Sequence, residues 1–202
     1  MMVPALSQSV LSAVLLISLV GGNGAPATAP AKVDLSTPKS AAETFYDGIR
    51  RADATAIAAA ISAPDPAHEK LASQYAEAII AREQLRHAIT SKFGPDAAPT
   101  DAWLPTGAQI KAAEVEEHGD RAAIKFPGGG GDLVRADGKW RLSFLAEAVL
   151  GKQVDKTLAS IRDYIAGAKA ATADVTGGKV KSADAAAQLF AKFPFPAVAS
   201  TH

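Results

Sequence analysis

The chain has 202 residues, with 21 basic and 21 acidic side chains, four histidines and no cysteine. A formal charge of zero argues against nucleic acid, whose binding depends on neutralising phosphates, and gives no long-range pull toward an anionic membrane. Without cysteine there is no thiol nucleophile, disulfide or lipidated thiol, and 45 alanines against seven Phe, three Tyr and two Trp predict close helix packing around a modest core.

Val10 to Val20 is an almost unbroken hydrophobic run, followed by Gly21, Gly22, Asn23, Gly24 and Ala25, and no Lys or Arg precedes Lys32. As a helix the run rises only about 16 Å, roughly half of a hydrocarbon core. Its shape is that of a secretory signal, with Ala25-Pro-Ala27 as the small-residue cleavage site, so residues 1–27 are read as a signal peptide. An uncleaved anchor is the alternative. Residues 28–36 read as a flexible mature N-terminus.

Thr37-Pro38 opens the first helix with a capping hydroxyl and a proline at the first helical position. Ala42, Phe45, Tyr46 and Ile49 share one face, while Glu43, Asp47, Arg50 and Arg51 lie on the other, where Asp47 and Arg51 are spaced to pair. Asp53 caps a short second helix carrying Ile57, Ala60 and Ile61, which Ser62 to Pro66 stops. The third helix runs over about residues 67–93 with Leu71, Tyr75, Ala78, Ile79, Leu85, Ile89 and Phe93 as its stripe, and Gly94-Pro95 ends it. Residues 96–108, with Trp103 and Leu104, read as loop.

Strands are then expected over Ile110–Glu117, Arg121–Phe126, Asp132–Ala136 and Lys139–Phe144. Their connections are His118-Gly-Asp120, the segment Pro127 to Gly131, and Asp137-Gly138. The last is a strong two-residue hairpin signal. Trp140, Leu142 and Phe144 alternate along the final strand and share a face. A helix with Leu150, Val154, Leu158, Ile161 and Ile165 follows, and after Thr176-Gly-Gly178 Ser182 caps a last helix with Leu189 and Phe190. Phe193 to Pro196 is extended and 197–202 is a loose tail. The expectation is a single α+β domain over 37–196: three N-terminal helices, a four-stranded antiparallel meander and two C-terminal helices.

Two segments carry a family resemblance. One is Thr37 to Ile57 (TPKSAAETFYDGIRRADATAI), a helix, a break at Asp53 and a second helix. The other runs from Gly119-Asp-Arg-Ala-Ala-Ile-Lys-Phe126 through Val134-Arg-Ala-Asp-Gly-Lys-Trp-Arg-Leu142. Together they resemble the cone-shaped superfamily named after nuclear transport factor 2, which includes ketosteroid isomerase-like enzymes, and especially its small exported bacterial members. That family generally places a strand before the third helix and ends in sheet, whereas here the strands come late and two helices follow. The resemblance implies a fold that hosts catalysts, ligand binders and interaction modules alike. No stretch matches the family's acid or base positions, so no catalytic residue is carried over.

Among candidate sites, Glu116-Glu-His118 with Asp120 is the densest group of possible metal ligands. Glu116 and His118 would point to one side of a strand and Glu117 to the other, so a solvated turn is expected and no metal is assigned. The Gly128–Gly131 run lacks the Gly-Lys-Ser/Thr ending of a phosphate loop and reads as a hairpin connection. The sharper feature is Arg82, which falls in the centre of the third helix's apolar stripe, with Arg86 near its edge. A buried guanidinium needs a partner. One reading is an anion pocket in which Arg82 and Arg86 grip a carboxylate or phosphate and Tyr46 or Trp103 line the walls. The other, which is the expectation here, is an internal pair with Glu or Asp from the meander or the helix after it, or a side chain snorkelling past a thin core.

These observations favour an exported, periplasmic or secreted, non-catalytic binding or interaction module acting on a small molecule or a protein, with no cofactor, no nucleic acid and no membrane after cleavage. The alternatives are a small-molecule enzyme or carrier with a cone pocket, and an envelope-associated structural factor. A deep pocket with unpaired polar groups would favour the enzyme. A sheet face filled by Trp140, Leu142 and Phe144 would favour the module.

Overall fold

The computed structural model describes residues 32–98, 104–127, 129–143 and 154–194. The hydrophobic run and its cleavage zone, Trp103, Phe144, Leu150 and the tail after residue 194 lie outside the described residues.

Helix α1 spans Pro38–Arg51, and its first turn is closed by a capping box in which Thr37 and Ser40 satisfy each other's backbone N–H groups. It buries Ala42, Phe45, Tyr46 and Ile49, the predicted face. Helix α2, Ala54–Ala59, starts on Asp53, whose carboxylate accepts from the Ala56 N–H at 3.0 Å. The two helices meet at Gly48, where an added Cβ would lie 2.8 Å from Cγ1 of Ile57. Only glycine allows that approach. Helix α3, Pro66–Phe93, is 28 residues long, about 42 Å. Asp65 caps its start, and at its end Gly94, with φ of 94°, donates to the Thr90 carbonyl.

Residues 96–108 are not wholly loop. A 3₁₀ turn covers Pro95–Ala97, and a short helix α4 covers Gly107–Lys111. Thr106 and Gln109 form a second capping box, which winds Ile110 into α4 instead of starting a strand. Strand β1 therefore begins only at Glu114 and runs to His118. It is followed by β2 (Arg121–Phe126), β3 (Gly129–Ala136) and β4 (Lys139–Leu142), antiparallel in the order β1-β2-β3-β4.

Gly129 to Gly131 belong to β3 and not to the connection. Gly129, Gly130 and Gly131 lie opposite Phe126, Lys125 and Ile124. A Cβ on Gly130 would come within 2.4 Å of the Ile124 carbonyl oxygen, so glycine at this position permits a close strand approach that a side chain would block. Asp137 and Gly138, with φ of 52° and 71°, make the tight turn into β4.

The outer edge of β4 is covered. Trp140 N–H donates to the Leu35 carbonyl at 2.8 Å, Leu142 N–H donates to Ala60 at 2.8 Å, and Ile61 bridges to Leu142 in parallel. Within the segment read as a flexible start, Asp34 is tied to α1 by its backbone N–H and carbonyl, both bonded to Thr44 Oγ1. The opposite edge, β1, has no further strand beside it among the described residues and carries exposed Glu114, Glu116 and Glu117, which discourage edge pairing.

Helix α5 (Val154–Thr176) lies along α3, and α6 (Ala183–Ala191), capped by Ser182, closes over the far end of both. Two cores result. The larger joins Ala122, Ile124, Phe126, Leu133, Trp140 and Leu142 of the sheet to α1, α2 and parts of α3 and α5. The smaller consists of Leu85, Ile89, Ala97, Ala98, Ala171, Val175, Ala186 and Phe190. The fold is thus α+β, with three helices before the meander, two after it and α4 as an additional short turn.

Candidate functional site

Arg82 is 4% exposed and is the one charged residue among the described residues that is buried. Its Nε donates to the Phe193 carbonyl at 2.9 Å, and its guanidinium carbon lies 4.5 Å from the centroid of the Phe190 ring. Nη1 lies 3.3 Å from Oε1 of Glu83. This carboxylate comes from the next residue of its own helix. Adjacent helical positions do not normally face each other, so helical spacing alone does not signal this pair. Here both side chains are long enough to fold along the helix surface, and α6 with the residues after it supplies the ring and the carbonyl.

Arg86 sits one turn later and donates from Nε to Oε2 of Glu83 at 2.7 Å. Glu83 is therefore a bridge that takes one arginine on each oxygen. The structure brings Arg82 and Arg86 to a shared carboxylate, but it directs them differently. Arg82 points into protein, and Arg86, with its side chain 26% exposed, faces a cleft.

That cleft has a volume of about 310 Å³. Ile49 of α1, Leu104 and Pro105 supply apolar walls; Arg50, Glu83 and Arg86 supply the polar side, and Thr106 completes the rim. Arg50 is anchored by its Nη1, which donates to the Pro105 carbonyl at 2.8 Å, and by Nε and Nη2, which both donate to Asp47 Oδ1. Asp47 thus pairs with Arg50, three positions on along α1. Arg50, Glu83 and Leu104 escaped the sequence reading as cleft residues. The arrangement depends on residues 104–106 folding back onto α1, a contact across 55 positions.

Tyr46 is not part of this cleft. It is buried against Phe45 and Phe126 in edge-to-face contacts, with ring centroids 5.2 Å and 5.7 Å away. Burial pushes its hydroxyl up to about 12, so it stays neutral across physiological pH. Trp103 lies outside the described residues.

The Glu116 region is a solvated set of ion pairs. Lys125 Nζ lies 2.9 Å from Glu116 Oε1 and holds that carboxyl below its usual range, and Arg135 pairs with Asp120 at 3.0 Å. Among the described residues no group of three or more His, Asp or Glu is arranged to hold a metal ion. No helix among them is long and apolar enough to cross a membrane, and among the described residues Val33 is the one large hydrophobic residue left exposed.

Compared with known proteins, the chain matches no family, no curated protein and no solved structure.

Proposed function

We propose that this chain is a non-catalytic binding or interaction module, exported to the periplasm or cell exterior. The observation that carries the reading is the state of Arg82, the buried charge that a catalytic or anion-gripping centre in the core would need. Its donors go to a backbone carbonyl, a neighbouring carboxylate and an aromatic face. The inner sheet face gives the same support. Trp140 and Leu142, 2% and 4% exposed, are packed into the larger core.

Export rests on the hydrophobic run at Val10–Val20 and the small residues after it. The likeness to the nuclear-transport-factor-2 superfamily gains support from Ile61. The family usually has a strand before its third helix, and Ile61 bridges in parallel to β4 just ahead of α3. A fold of that kind does not select an activity, so the module reading stands on the side chains.

Replacing Arg82 with Met tests it. Loss of the bonds to Phe193 and Glu83 is expected to lower unfolding free energy by about 2–3 kcal/mol, while any response of the protein to added carboxylates is retained. Unchanged stability together with a lost anion response would show that Arg82 serves a ligand. Intact mass of the exported protein is expected to begin between about residues 22 and 30. A full-length mass in the membrane fraction would overturn the cleaved-signal part of the reading.

A further inference from the structure

We propose that the cleft between the end of α1, the middle of α3 and residues 104–106 binds a small monocarboxylate with an apolar body, held by Arg86. The inference rests on reading the chain as a binding module and names its ligand class.

Three observations carry it. Arg86 uses Nε on Glu83, which fixes the plane of the guanidinium, and its two Nη nitrogens have no hydrogen-bond partner among the described residues. Paired N–H donors of that kind match the two oxygens of a carboxylate. Charge then selects the ligand's valence. The single charge of Glu83 is shared between Arg82 and Arg86, so the Arg86 guanidinium keeps part of its positive charge uncompensated, which suits a monoanion. A phosphate dianion would meet the Glu83 carboxylate on the same guanidinium. The walls set the remainder of the molecule: Ile49, Leu104 and Pro105 offer hydrocarbon, and about 310 Å³ is at the small end of ligand sites. Arg50 is already bonded at three nitrogens and serves as a fixed wall, not as a second grip.

The test is calorimetric titration of the full chain with acetate, butyrate, hexanoate and inorganic phosphate at neutral pH. Affinity is expected to rise roughly fourfold per methylene from butyrate to hexanoate, with no saturable phosphate binding. Arg86→Lys keeps the charge beside Glu83 but removes the fork, and is expected to weaken hexanoate about tenfold or more with little change in melting temperature. Leu104→Asn is expected to flatten the chain-length dependence and provides an independent readout of the apolar wall. Absence of hexanoate binding, phosphate binding of equal strength, or hexanoate binding to Arg86→Lys at wild-type strength would each overturn the proposal. If hexanoate fails to bind while Arg82→Met is destabilised, the cleft assignment falls and the module reading remains. If hexanoate binds and is chemically converted, the cleft stands and the non-catalytic reading falls.

Discussion

The two cores of the molecule solve the same packing problem with different side chains. In the larger core Phe45, Tyr46, Ile57, Ile124, Leu133 and Trp140 interdigitate, and backbone bonds from β4 reach Leu35 and Ala60, which are distant in sequence. In the smaller core half of the eight buried residues are alanines, and Phe190 is the single aromatic among them. Alanine allows α3, α5 and α6 to approach closely but removes little apolar area from water. Charged side chains that reach backbone carbonyls supplement that region. Lys92 donates to Val175 at 2.7 Å at the end of α5, and Arg82 donates to Phe193 just beyond α6. Apolar area thus dominates one end, and charge-assisted bonds to carbonyls reinforce the other.

The largest expected effect lies in the sheet core. Trp140→Ala should cost about 3–5 kcal/mol, measured by chemical denaturation, because it empties a packed position between β4 and the helices. A loss below about 1 kcal/mol would mean that the sheet core does not depend on large side chains, and the contrast between the ends would collapse.

The contrast is also open to pH. The Tyr46 hydroxyl ordinarily titrates near 10 and is raised to about 12 by burial, and burial raises Tyr75 as well. For a group whose folded value exceeds its unfolded value, the contribution to stability is complete below the unfolded value and is lost as pH rises through the folded one. Stability should therefore begin to fall above about pH 10 and continue to fall through about pH 12, by roughly 2–3 kcal/mol for Tyr46 alone. Denaturation midpoints across that window check this, and Tyr46→Phe should blunt the fall.

How much of each region was legible in the sequence follows from how local its signals are. The bounds of β2, the Ser182 cap and the burial of Trp140 with Leu142 rest on alternation or capping within a few residues, and they match the structure. Burial of Arg82 follows from helical periodicity alone. Its contacts did not, since Phe193 lies 111 positions away and Glu83 lies at a spacing that helix geometry normally excludes. Helix α4 was legible in principle from Thr106-x-x-Gln109 but was masked by the turn-rich residues before it. The start of β3 was not, because three successive glycines show no alternation to read.

The smallest effect belongs to the helical end. Ser182 accepts the Ala185 N–H at 3.2 Å, so Ser182→Ala should cost about 1 kcal/mol in thermal unfolding. A larger loss, comparable with that of Trp140→Ala, would mean that α6 is integral to the main core.

Amide hydrogen exchange on the Arg82→Met protein tests most directly whether Arg82 is an interior clamp for the helical end. Protection over α6 (183–191) and the last turns of α5 should fall about tenfold or more, because local opening there no longer breaks the bond to Phe193. Protection at Ile124, Leu133 and Leu142 should change far less. An unaltered exchange pattern in α6, or an equal loss across the sheet, would contradict the account.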